Sequence, residues 1–154
     1  MVSRTTIDDF LAQRRLALVG ASQSGHGFGA IALAELTAKG LQVTPVHRTA
    51  ATIKVHGASV PCVRRLADLA GQVTGVVLVT PPAESEKLVR EAEAAGIRRV
   101  WLQQGAESDA AIAFCEAHGM SVVHHECILM FAGHPGFVHR AHKFLRGTFG
   151  ELPA

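Results

Sequence analysis

A glycine-rich stretch near the start of the chain is the segment best suited to hold a small ligand. Residues 19–29 read Val-Gly-Ala-Ser-Gln-Ser-Gly-His-Gly-Phe-Gly and follow an apolar run that has the composition of a buried parallel strand. Glycine lets the chain turn sharply and brings backbone N–H groups close to a ligand. A helix beginning near Phe28 would point its N–H groups and the positive end of its dipole at an anion. The stretch therefore predicts a phosphate-binding loop, with a plain strand-to-helix turn as the alternative.

This loop departs from the dinucleotide-binding fingerprint in two ways. The letters from Gly25 to Ala30 match the pattern Gly-x-Gly-x-x-Ala and place Gly25 and Gly27 in the binding loop, but they begin five residues after Gly20. The predicted second strand is followed by His47 and Arg48, with no carboxylate that could hold the ribose of NAD. An arginine there favours a phosphorylated ribose, either the 2′-phosphate of NADP or the 3′-phosphate of coenzyme A, because a guanidinium donates a fork of hydrogen bonds to phosphate. A solvated loop charge is the alternative for Arg48.

The other reactive side chains of the sequence match no catalytic or metal-binding pattern. His124 and His125 are adjacent on a predicted strand, so their side chains are expected on opposite faces, and we predict no metal site. Cys127 follows the last predicted strand, where a mixed disulfide with coenzyme A is conceivable, although a buried apolar thiol is the commoner state. The chain carries no paired carboxylates, nucleophile elbow or Walker pattern. We therefore predict no catalytic residue.

The elements that must position the loop alternate regularly between strand and helix. Strands are predicted over residues 15–19, 41–46, 58–61, 75–80, 98–103 and 120–124, and helices over residues 5–14, 30–39, 64–70, 83–95, 108–118 and 137–149. Residues 47–57 read as irregular. The alternation predicts a single α/β domain over residues 1–154, a Rossmann-like open parallel sheet with helices on both faces. The last helix carries a basic face, and a homodimer through its apolar side is compatible with the sequence.

Composition narrows the function classes. The net charge of +2, the absence of tyrosine and the single tryptophan offer little for nucleic-acid binding. The apolar runs are too short for a membrane span, and the first ten residues lack the apolar core of a signal peptide. The three cysteines are widely spaced, which fits neither a disulfide framework nor a zinc knuckle. We expect a cytoplasmic protein without nucleic-acid or membrane partners.

Four segments carry a resemblance to a known family. They are Val-Gly-Ala-Ser at 19–22 with Phe28-Gly29 downstream, Pro45-Val46-His47, Val-Trp-Leu-Gln-Gln-Gly at 100–105, and Glu-Cys-Ile at 126–128. Together they resemble the small bacterial CoA-binding proteins of the YccU-like family, which are similar to the N-terminal domain of the succinyl-CoA synthetase alpha subunit. The similarity spans residues 16–129.

The resemblance implies a ligand and a set of contacts. The residues that would surround the pyrophosphate are Gly20, Ala21, Ser22, Gly27 and Phe28. Those near the adenosine phosphate would be Pro45, His47 and Arg48, with Thr80 and Pro81 beside the adenine. The outer end of the cleft would be lined by Gln103, Gln104 and Gly105. The family commonly shows Pro-Val-Asn-Pro where this chain has Pro-Val-His-Arg, so differences are expected at the adenosine end.

The function that follows is binding of a small-molecule nucleotide, coenzyme A or an acyl-CoA, without catalysis. An NADP-binding oxidoreductase or a nucleotide-sensing module is the first alternative. The second is an interaction module in which the last helix contacts a protein partner or a second copy of the chain.

Overall fold

The structure is a computed structural model and describes residues 2–132. Its strands are β1 (Arg15–Val19), β2 (Gln42–Val46), β3 (Thr52–Val55), β4 (Ala58–Pro61), β5 (Gly75–Leu78), β6 (Arg99–Gln103) and β7 (Ser121–Glu126). Its α-helices are α1 (Arg4–Leu11), α2 (Phe28–Ala38), α3 (Pro82–Ala94), α4 (Asp109–Ala117) and α5 (Ile128–Ala132). One 3-10 turn, Leu66–Leu69, lies between β4 and β5. Within residues 2–132 no helix has the length and apolar character that crossing a membrane requires.

Five strands form one parallel sheet in the order β2-β1-β5-β6-β7. The chain runs from β1 outward to β2 and then returns to the other side of β1 with β5. The strand order therefore reverses between β1 and β5, which confirms the predicted Rossmann-like α/β architecture. In open sheets of this kind, ligands bind beyond the carboxyl ends of the strands at such a reversal.

Side-chain alternation along the strands builds an apolar layer on each face of the sheet. Leu16 and Leu18 of β1 pack with α1, α2 and α5, whereas Ala17 between them packs with α3, α4 and the 3-10 turn. Trp101 is fully buried in the first layer, where its ring lies edge-on to Phe10 at 5.3 Å between centroids. Trp101 is therefore a core residue, as its apolar neighbours in the sequence indicate.

Two local predictions were wrong, and one lies outside the described residues. The segment 47–57 contains β3, which forms an antiparallel hairpin with β4 instead of an irregular loop. The hairpin turns at His56 and Gly57, and both have positive φ, as a type I′ hairpin turn requires. The helix predicted over 64–70 is one 3-10 turn, and the C-terminal basic helix predicted over 137–149 lies outside residues 2–132.

Candidate functional site

The carboxyl ends of β1 and β5 meet at the point where the strand order reverses. Here Gly20, which follows β1, lies so close to Val79 that a Cβ on Gly20 would be 1.9 Å from the Val79 carbonyl oxygen. Gly20 also has a φ of +112°, which disfavours any residue with a side chain. Only glycine fits this position, so packing and backbone conformation by themselves explain its place in the sequence.

The loop from Gly20 to Gly27 is folded back on itself by local hydrogen bonds. The Ser22 hydroxyl donates to the His26 carbonyl oxygen, and the Gly25 N–H donates to the Ser22 carbonyl oxygen at 3.1 Å. A Cβ on Gly25 would lie 2.2 Å from the carbonyl oxygen of Lys54 in β3. The loop is thus held between the main sheet and the hairpin.

The loop ends at the start of α2, as the sequence predicts. Gly27 is the N-cap of α2, has a φ of +93° and brings no side chain to the helix terminus. A Cβ on Gly27 would meet no atom within 4 Å, so open space lies beside this residue. Phe28 and Ala21 are buried beneath the loop, whereas Ser22 is exposed. This arrangement presents backbone and the positive end of α2 to an anion.

The two polar residues that follow β2, His47 and Arg48, make different contacts. The ring nitrogen Nδ1 of His47 accepts hydrogen bonds from the backbone N–H groups of Thr49 and Ala50, at 3.2 and 2.9 Å. His47 therefore shapes the turn after β2, as an asparagine side chain commonly does. Arg48 extends to α3, where its guanidinium donates to the Glu84 carboxylate. Arg48 is 74% exposed, so this ion pair lies at the surface.

A pocket of about 400 Å³ lies between the ends of β1 and β2 and the start of α3. We call it the arginine pocket, and it is lined by Val19, Val46, Arg48, Arg64, Arg65, Glu84, Leu88 and Glu91. Sequence reasoning missed Arg64, Arg65 and Glu84. The bridge between Val63 and Val46 carries the two arginines to the edge where β2 ends, and this pairing has no clear signature in the sequence.

The junction between β5 and α3 forms the next part of the edge. The hydroxyls of Thr80 and Ser85 are 2.8 Å apart, and Ser85 also donates to the Pro81 carbonyl oxygen at 3.3 Å. Pro81 is the N-cap of α3 and is exposed. Thr80 is therefore engaged in fixing the start of α3, while Pro81 offers an apolar surface to solvent.

At the end of β6, the side chain of Gln103 is buried and contacts residues of the protein interior. It is only 1% exposed, and its Oε1 accepts a hydrogen bond from the Ile128 N–H at 3.0 Å. Burial raises the pKa of the neighbouring Cys127 thiol, and the Gln103 side chain offsets part of that rise. Gln104 and Gly105 are half-buried and border the edge. The Gly105 N–H donates to both carboxylate oxygens of Glu107, at 3.2 and 3.1 Å.

His124 and His125 come together, contrary to the expectation that their side chains diverge. His125 has a φ of +59°, which breaks the alternation of the strand, and the two Nδ1 atoms are 2.7 Å apart. His125 Nε2 lies 3.8 Å from Glu107 Oε1. Desolvation, and then the neighbouring His125, lower the pKa of His124. Among residues 2–132, no three or more His, Cys, Asp or Glu side chains are placed to hold a metal ion.

The predicted site residues are brought to one edge of the sheet, at the carboxyl ends of β1, β2, β5 and β6. The glycine loop and Pro81 border the reversal point between β1 and β5, and Arg48 reaches it through Glu84 of α3, whereas Pro45 is buried within β2. Several of the predicted site residues are buried at or behind this edge, namely Ala21, Phe28, Pro45, Gln103 and Cys127. The edge can therefore hold an elongated anionic molecule across β1, with a basic pocket at the β2 end.

Comparison with known proteins agrees with this architecture. A conserved hypothetical protein from Pyrococcus furiosus is 34% identical, with a TM-score of 0.69, over 77% of this chain and 98% of that chain. A hypothetical protein from Pyrococcus horikoshii OT3 is 24% identical, with a TM-score of 0.72, over 84% of this chain and 89% of that one. A dinucleotide-forming acetyl-coenzyme A synthetase from Ca. Korarchaeum cryptofilum is 20% identical, with a TM-score of 0.63, over 76% of this chain but only 26% of that enzyme.

No curated protein matches the chain. The profile described as the CoA binding domain matches residues 14–132, which include every strand of the sheet and the whole of the loop at the reversal point. That match covers well over half of the sequence, and the chain accordingly belongs to the CoA-binding domain family.

Proposed function

We propose that this protein binds coenzyme A or an acyl-CoA without transforming it, and that the pyrophosphate lies on the loop from Gly20 to Gly27 at the start of α2. The observation that carries the proposal is the position of this loop. It follows β1 at the reversal of strand order, in a chain of the CoA-binding domain family. A pyrophosphate there would receive backbone N–H groups and the helix dipole together.

The adenosine end is proposed to enter the arginine pocket. Its wall includes the apolar side chains of Val19, Val46 and Leu88, which suit the face of a purine ring. Pro81 borders the same region from the start of α3. The pantetheine arm would then run toward Gln104 and Gly105. The thiols fit a reducing compartment such as the cytoplasm, since all three are free.

Calorimetric titration of the full chain with CoA, acetyl-CoA and NADP tests the proposal. We expect both CoA compounds to bind and NADP to bind at least about tenfold more weakly, a difference of about 1.4 kcal/mol. The NADP-binding alternative predicts the reverse order. If CoA fails to bind at millimolar concentration while NADP binds, the proposal is wrong.

A pair of glycine variants separates loop function from backbone strain. Gly27 and Gly96 both have positive φ, +93° and +76°, and a Cβ at either position would meet no atom within 4 Å. Gly27 also has a ψ of 174°, a backbone region essentially restricted to glycine, so alanine there costs strain on the order of 1–3 kcal/mol without a clash, and the melting temperature of each variant is measured beside its affinity. Gly27→Ala should weaken CoA binding, whereas Gly96→Ala, at the end of α3, should bind like the wild type. Equal affinities would remove the loop from the site.

A further inference from the structure

The arginine pocket contains more positive charge than an adenine ring needs. Arg48, Arg64 and Arg65 line it together with Glu84 and Glu91. All three arginines are exposed, so solvent and a soluble ligand can reach them. A convergence of arginines from two separate segments of the chain is a feature that recognises phosphate, because each guanidinium can donate two parallel hydrogen bonds.

One of these arginines is already occupied by a carboxylate. Arg48 donates to Glu84, which lies in the first turn of α3. Glu84 is the more sheltered partner, with 27% of its side chain exposed against 74% for Arg48. A carboxylate in the first turn is also stabilised by the helix dipole, so Glu84 remains in a favourable place if Arg48 leaves it.

The guanidinium of Arg65 is held more loosely than that of Arg48. Arg65 Nη2 lies 3.8 Å from Asp68 Oδ1, beyond hydrogen-bond distance, while the Arg65 backbone N–H donates to the same carboxylate at 3.1 Å. The carboxylate of Asp68 thus satisfies the backbone of the 3-10 turn and leaves the guanidinium of Arg65 able to move into the pocket. A phosphate monoester carries nearly two charges at neutral pH and competes well with the single charge of Glu84 for Arg48.

We propose that the arginine pocket is a site for a ribose phosphate monoester, in which Arg64 and Arg65 join Arg48 around the phosphate and Glu84 is the resident competitor that the phosphate displaces. This inference rests on the proposed function, since it assigns the monoester as the 3′-phosphate of coenzyme A. It makes Arg64 and Arg65 specificity-determining residues and Glu84 a residue that weakens binding of the phosphorylated ligand.

The experiment is calorimetric titration of the full chain with CoA, dephospho-CoA and adenosine 3′,5′-bisphosphate. Arg64→Gln and Arg65→Gln should each lower the affinity for CoA and for the bisphosphate by about tenfold, and leave the affinity for dephospho-CoA within about twofold, since each removes charged hydrogen bonds to the phosphate alone. Glu84→Gln should raise the affinity for CoA by a few fold, with dephospho-CoA unchanged, because Arg48 is then released.

Matched controls carry the same charge changes outside the pocket. The control variants are Arg14→Gln and Glu93→Gln. Arg14 precedes β1 at the amino end of the sheet, and Glu93 lies at the far end of α3. Both should leave the ratio of CoA to dephospho-CoA affinities unchanged. A shift in that ratio equal to the shift in the pocket variants would mean that general charge, not the pocket, recognises the phosphate, and would overturn the inference.

Failure of the inference is distinct from failure of the proposed function. If CoA and dephospho-CoA bind equally to the wild type and to the arginine variants, the phosphate site is wrong while CoA binding stands. If CoA binds more weakly to Glu84→Gln, the role of Glu84 as a competitor is wrong. If neither CoA nor dephospho-CoA binds to the wild type, both proposals fall.

Discussion

Gly29→Ala tests how tightly α2 is packed on the loop. Gly29 is the second residue of α2, and in an open helix alanine is favoured over glycine by about 1 kcal/mol. In this structure, however, the new Cβ would lie 2.5 Å from the Gly20 carbonyl oxygen and 2.8 Å from the Ala21 Cα. These are backbone atoms, so they cannot rotate away as a side chain would. The helix or the loop must move instead.

Two opposing effects set the change in the free energy of unfolding caused by Gly29→Ala. Overpacking of a tight contact costs about 1–3 kcal/mol, and rigid backbone neighbours favour the upper end of that range. Subtracting the helix preference of about 1 kcal/mol for alanine leaves a net loss of about 2 kcal/mol. For a chain of this size that corresponds to a decrease in melting temperature of about 4–8 °C. The displaced loop should also bind CoA more weakly.

Thermal unfolding followed by circular dichroism, with and without CoA, measures both effects. Ala83→Gly is the matched control, because Ala83 is the exposed second residue of α3 and reports the alanine–glycine difference without packing. If Gly29→Ala melts at or above the wild-type temperature, the close contact between α2 and the loop does not exist. The explanation of this glycine by packing would then be refuted.

Two further predictions concern titratable groups. The pKa of His124 is lowered below its usual 6.5, so the unfolded chain gains a proton before the folded one, and the free energy of unfolding should decrease as the pH falls below about 6.5. His124→Asn should make that decrease smaller in urea titrations at several pH values. Burial raises the pKa of all three thiols, that of Cys115 to about 12. Ellman's reagent should therefore react with half-buried Cys62 first, and with Cys115 and Cys127 only upon unfolding.

Both the His124 prediction and the cysteine prediction can be contradicted by these measurements. An unchanged pH dependence in His124→Asn would mean that other groups cause the loss of stability in acid. Native Cys127 that reacts as fast as Cys62 would show that the region behind β6 opens readily. It would also restore the mixed disulfide with coenzyme A as a reasonable hypothesis for this thiol.

The main sheet could be predicted from sequence because its strands are short apolar runs separated by helices of ordinary length. β5 (Gly75–Leu78) is buried along its whole length, and Gly40 has the positive φ that ends α2. β3 was missed because it pairs only with β4 and alternates exposed polar residues with a single fully buried side chain, Ile53. The pair His56-Gly57 was the available signal, since histidine and glycine both tolerate positive φ.

The site was harder to predict where it depends on contacts between distant segments. The glycine loop could be predicted because its residues are contiguous in the sequence. The pairing of Arg48 with Glu84 joins residues 36 positions apart, and no spacing rule connects them. The approach of His124 to His125 depends on one backbone angle that the strand pattern argues against.

The hairpin gives the loop a built-in reporter. The Lys54 N–H donates to the Gln23 carbonyl oxygen at 3.2 Å, and the carbonyl oxygen of Lys54 faces Gly25. This amide lies in a two-stranded hairpin, outside the five-stranded sheet. Its hydrogen exchange therefore registers separation of the loop from the hairpin, even when the main sheet stays closed. If a ligand binds to the loop, hydrogen exchange of the Lys54 amide should be slower with the ligand than without it. This slowing does not require a contact between the ligand and Lys54.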